Sequence, residues 1–143
     1  MPSGLRYIPP YTRTFHPIKD PATAEWGLAI NRVDYEKLLE GFSPRDMDDK
    51  WMCRTDKPDA HGNTIVHWYR SMTDMEFYTI TVDLNDPSDA EGDHWARLTK
   101  INWEKVVGSL EVPPEEAKES LVNLCRGYMG CRFENAVSAA SAE

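Results

Sequence analysis

Residues 64–84 read TIVHWYRSMTDMEFYTITVDL, and the reading of this stretch decides the fold. Thr64 to Ser71 and Glu76 to Leu84 are dense in β-branched and aromatic residues, and the polar break at Thr73 and Asp74 has the length of a hairpin turn. Side chains alternate along a strand, so Val66 and Trp68 share a face with Tyr78, Ile80 and Val82. Working outward, Lys50 to Thr55 precedes the hairpin across the turn-forming run Asp56 to Asn63. His94 to Trp103 follows it after Asn85 to Asp93. These segments predict a four-stranded antiparallel meander, with Trp51, Cys53, Ala96 and Leu98 joining the core face.

Strict alternation puts His67, Tyr69, Phe77, Thr79, Thr81, Trp95, Arg97, Thr99, Ile101 and Trp103 on the opposite face. Such an aromatic surface calls for a cover, a ligand or a second chain. From Thr23 to Glu40 the apolar residues Trp26, Ile30, Val33, Leu38 and Leu39 recur at mixed helical spacings. One or two short helices are expected there, with Asp34 as a cap and Gly41 as the stop. After Pro113 and Pro114, two acidic residues occupy a helix start, and Ala117, Leu121, Leu124, Cys125 and Tyr128 form a stripe that ends near Gly130. This predicts one C-terminal amphipathic helix packed on the sheet.

Five of the ten prolines lie in the first 21 residues, which excludes a helix there. The expected organisation is therefore an extended arm over 1–21, a single α+β domain over 22–134, and a flexible Ala- and Ser-rich tail over 135–143. Leu5, Tyr7, Ile8, Tyr11 and Phe15 give the arm enough apolar surface to dock. The 143 residues suffice for one such domain without staples.

Sixteen basic residues against twenty-four acidic ones leave a net charge of −8, which disfavours a phosphate backbone or an anionic membrane as partner. No apolar run has the length of a membrane span or the form of a signal peptide. Cys53, Cys125 and Cys131 are odd in number and form no CxxC pair, so reduced thiols and a cytoplasmic location are expected.

Motifs for common cofactors are missing: no GxGxxG, no phosphate loop and no GxSxG, so no cofactor is implied. Asp83, Asp86, Asp89, Glu91 and Asp93 crowd one loop, but the calcium template fails. A frame from Asp83 places Pro87 at its fifth position, and a frame from Asp89 places His94 where glycine is required. His61 and His67 lack companion ligands at zinc spacing, so no metal site is expected.

The chemistry concentrates instead on His67, Tyr69, Arg70, Trp95 and Arg97, which are the expected ligand-binding residues. Aromatic rings would stack on a planar ligand while a guanidinium holds its charge. The reading is a cytoplasmic binding or protein-interaction module that uses the aromatic sheet face. Its partners would be a protein, a second copy of the chain as a dimer, or a small anionic ligand. The alternative is a small enzyme acting on an anionic or nucleotide-like metabolite, with His67 moving protons.

The segment Asp48, Asp49, Lys50, Trp51, then Gly62, the run Tyr69, Arg70, Ser71, Met72, Thr73, Asp74, and finally Phe77 and Tyr78 resembles a small uncharacterised family. In that family an Asp-Lys-Trp element leads one strand and an Arg-Ser-Trp-Thr-Gly element ends the next. Met72 and Asp74 stand here in place of the tryptophan and glycine. The resemblance implies a shared sheet in which Trp51, Arg70 and Ser71 matter, and carries no activity with it.

Overall fold

In the computed structural model, which describes residues 14–85 and 94–136, five strands form one antiparallel sheet of order β1-β5-β4-β3-β2. They are β1 (Pro21–Ile30), β2 (Trp51–Thr55), β3 (Thr64–Arg70), β4 (Met75–Leu84) and β5 (Ala96–Glu104). Helix α1 (Arg32–Glu40) follows β1. A small hairpin of β6 (Val106–Val107) and β7 (Leu110–Glu111) leads into α2 (Pro114–Met129).

The sheet thus has five strands rather than four, and strand β1 stands where the first of the expected N-terminal helices was placed. Its Ala22, Ala24, Trp26, Leu28 and Ile30 repeat every second residue and alternate with more exposed neighbours through Gly27, so the segment pleats against β5. Alanine's helix propensity disguised that period; pairing with a strand some seventy residues away overrides it. Helix α1 is capped by Asn31, whose side chain accepts the Asp34 amide at 2.8 Å, and not by Asp34. Gly41 ends it at φ +71, where a Cβ would come within 2.5 Å of the Cys53 carbonyl oxygen.

Both helices contribute to the core that forms on one face of the sheet. Tyr35 and Leu38 from α1 and Ala117, Leu121, Val122 and Cys125 from α2 pack with Cys53, Val66, Trp68, Ile80, Val82, Leu98, Ile101 and Trp103. Pro114 in the first turn, Glu115 and Glu116 beside it, and Gly130 at φ +72 give α2 a regular start and stop. The chain then turns back under Asp34. That buried carboxylate accepts the amides of Arg132 at 2.9 Å and Phe133 at 2.7 Å, which seats Phe133 wholly in the core despite its positive φ of 47°.

The sheet's register shifts at three places, between Glu25 and Leu28 on β1 and at two bulges that correct the simple alternation of the central strands. Thr81 and Val82 face Lys100 and Leu98, so Thr99 is extra on β5, and Ile101 and Trp103 turn toward the helices. On β4, Trp68 and Tyr69 face Tyr78 and Glu76, so Phe77 is extra and packs with Trp51 and Tyr78 beside the core. The helix-free face is accordingly polar, not aromatic, over most of its width. A one-residue insertion reverses every side chain beyond it.

Candidate functional site

The bulge at Phe77 also builds the most concentrated chemistry of the helix-free face. Without it Glu76 would stand opposite Arg70; with it Glu76 stands opposite Tyr69, diagonal to His67. The imidazole Nδ1 is 2.6 Å from Glu76 Oε2, and Nε2 is 3.1 Å from Asp56 Oδ1 in the loop after β2. Tyr69 stacks alongside with ring centroids 6.1 Å apart and is buried. Burial works against a charged His67, yet the hydrogen bonds to Glu76 and Asp56 more than offset it and its pKa lies above the ordinary histidine value. Burial, reinforced by the Glu76 charge, pushes the Tyr69 phenol up to about 12.

An extended N-terminal segment covers this cluster. His16 pairs with Met75 in parallel register, its amide donating to the Asp74 carbonyl at 3.0 Å and its carbonyl accepting the Glu76 amide at 2.8 Å. Ile18 donates its amide to Glu76 Oε1 at 3.3 Å. Phe15 lies on Tyr69, centroids 4.5 Å apart, with the Arg54 guanidinium 4.8 Å above the Phe15 ring. Leu5, Tyr7, Ile8 and Tyr11 of the expected arm lie outside the described residues, as does most of the tail and of the acidic loop.

Of the five expected binding residues, only His67 and Tyr69 come together. Arg70 is exposed on the other side, its guanidinium 4.7 Å over the Trp51 ring. Arg97 is exposed on β5 opposite Asp83. His67 is level with Thr79 and Asn102, five residues further along β5, so Arg97 is on the order of 15 Å away along the strands. Trp95 precedes β5 and receives Arg32 5.1 Å over its ring. Glu76 and Asp56 were missed, and although docking of the arm through Phe15 was expected, its place against Tyr69 and Glu76 was not, because these positions depend on the bulge and on a non-local pairing. A lone glutamate between a turn and an aromatic strand was the one available signal.

Level with His67, a polar ladder crosses the sheet. Thr23 Oγ1 donates to Asn102 Oδ1 at 2.6 Å, and Asn102 Nδ2 donates to Thr79 Oγ1 at 2.9 Å, linking β1, β5 and β4. Thr81 is half-buried beside it, and Lys100 and Ile65 are exposed. No family model, curated protein or solved structure matches the chain. The functional reading therefore rests on this geometry alone.

The residues of the Asp-Lys-Trp and Arg-Ser elements close one end of the sheet. Ser71 Oγ donates to the Asp49 carbonyl at 2.6 Å, the Ser71 amide donates to the Lys50 carbonyl at 2.9 Å, and Trp51 packs edge-on against Trp68 and Phe77. Asp74 adopts φ +58, a conformation glycine takes without strain and aspartate tolerates.

Among the described residues no cluster of three metal-ligating side chains occurs, and no helix is long and apolar enough to cross a membrane. The three cysteines are free and buried. Burial raises the pKa of each, that of Cys131 to about 12, so the nucleophilic thiolate is suppressed. A cleft of about 330 Å³ lies at the C-terminal ends of the two helices, lined by Lys37, Phe42, Arg45 and Tyr128 among others, away from His67. Its Lys37 donates to the Gly130 carbonyl at 2.8 Å, where a cation neutralises a helix C-terminus.

Proposed function

We propose that this protein is a non-enzymatic binding module, and that it meets a protein surface, either a second copy of the chain or another polypeptide, with the helix-free face of its sheet. The observation that carries this reading is the unequal covering of the two faces. Both helices and the segment after α2 pack on one, whereas the Thr23–Asn102–Thr79 ladder on the other has hydroxyl and amide groups within reach of solvent. Five strands span roughly 19 Å from first to last, so the face has the breadth of a protein contact rather than of an enclosed ligand pocket.

Catalysis is the weaker reading on chemical grounds. Both His67 ring nitrogens are already engaged by carboxylates, which leaves no lone pair for a substrate proton, and the thiols are held protonated. The free cysteines support a reducing, cytoplasmic setting.

A photo-crosslinking residue placed at Thr81, with Asn123 on the outer surface of α2 as the control, tests the proposal in an extract of the source cells. Adducts with one discrete polypeptide, or with the protein itself, at Thr81 alone are the expected result. Equal labelling from both positions, or none from Thr81, would dismiss the sheet face as the recognition surface.

A further inference from the structure

Neutral imidazole carries one N–H, and ionised carboxylates only accept hydrogen bonds. His67 nevertheless lies within hydrogen-bonding distance of a carboxylate at each ring nitrogen, 2.6 Å to Glu76 and 3.1 Å to Asp56. Both bonds can exist together with charged carboxylates only if the ring is an imidazolium. Glu76 meanwhile uses its second oxygen to accept the Ile18 amide, so the same side chain joins the charged ring to the N-terminal arm.

We propose that His67 is a pH-operated clasp for the segment Thr14–Asp20: the imidazolium keeps Glu76 aimed at the arm, and loss of its proton to solvent releases the arm from Tyr69. One of the two ring bonds disappears on deprotonation, and the two carboxylates lose the cation between them. Arg54 on β2, opposite His67, is the neighbouring cation, but its guanidinium lies over Phe15 of the arm. On β3 the adjacent titratable group is Tyr69, whose phenol stays neutral through the relevant range. The arm itself brings His16, in backbone contact with Glu76, and Lys19, whose amide is bound to Glu104. None of these supplies a second hydrogen-bond donor in place of His67.

The direction follows from the sign of the shift. A histidine whose pKa is raised in the folded protein contributes stability that is complete below its unfolded value and disappears as pH rises through the folded value. Arm docking is therefore tight in mild acid and loosens as pH rises through the raised pKa of His67. Release uncovers Tyr69, on which Phe15 lies, at the edge of the helix-free face. The inference stands whether or not that face binds a protein.

Trypsin cleavage after Lys19 in the full chain, normalised at each pH to a free peptide spanning residues 14–24, reads arm release. The midpoint of the His67 ring titration, followed by NMR, supplies the second axis. Normalised cleavage is expected to rise roughly tenfold, the population change for losing one charge-assisted hydrogen bond, with the same midpoint as the ring. His67→Gln is expected to remove the step and leave cleavage fast throughout. Should that variant lose its cooperative melt, Glu76→Gln, which deletes the ring's closest carboxylate, is expected to remove the step as well. A flat normalised rate in the wild type, a step displaced from the ring titration, or a step retained in a folded variant would overturn the proposal.

Discussion

The two terminal segments are fastened by the same device in different surroundings. At the C-terminal end Asp34, buried in α1, accepts two backbone amides from Arg132 and Phe133, and among the described residues no titratable cation pairs with it. At the N-terminal end Glu76 accepts one backbone amide from Ile18 and depends on His67 for its orientation. The first fastening does not pass through a histidine and carries a core aromatic with it. The second is conditional, and what it covers lies at the surface. A carboxylate that holds backbone amides is a lock or a latch according to what else holds the carboxylate.

Breaking the lock is expected to give the largest effects. Phe133→Ala should cost about 3–5 kcal/mol in urea unfolding, since it empties a fully buried site against both helices and sheet. Asp34→Ala should follow at roughly 2–4 kcal/mol, because it orphans two amides that have little access to water. Neither substitution touches His67, so neither loss should follow the titration of that ring. If Asp34→Ala unfolds like the wild type, the lock is not what seats Phe133.

Breaking the latch is expected to cost less and to depend on pH. His67→Gln should lose about 1–2 kcal/mol at pH 6, the worth of a charge-assisted hydrogen bond in a partly buried site. The difference from wild type should shrink as pH rises through the raised pKa of His67, because the wild type then loses the same interaction. Unfolding curves of the pair at pH 6 and pH 9 check this; a difference that stays constant or grows contradicts it. Smallest of all, Arg70→Ala lies outside both devices and removes one stacked cation from Trp51. Its cost should be at most about 1 kcal/mol at either pH.

These devices were unequally legible in the sequence. The strands from Trp51 to Glu104 and the helix after Pro114 follow from alternation, turn residues and capping, since there local preference and tertiary structure agree. Strand β1 hid its two-residue period behind alanines, and its partner lies far away in the chain. Parity failed at Phe77 and Thr99 for a sharper reason. A bulge is a property of two paired strands, so neither strand's own pattern announces it, and Ile101, Trp103 and Phe77 were assigned to the wrong faces in consequence. For the site, His67 and Tyr69 were visible as a titratable ring and an aromatic one residue apart on the same face. Glu76 and Asp56, which determine what His67 can do, were not.

Hydrogen exchange at the Ile18 and Phe133 amides, followed in one sample at pH 6 and pH 8.5 and corrected for intrinsic rates, compares lock and latch most directly. The expected result is a protection factor at Phe133 that stays constant while that at Ile18 falls roughly tenfold. Equal behaviour of the two amides, whether both constant or both falling, would contradict the distinction between a fastening that does not pass through a histidine and one that does.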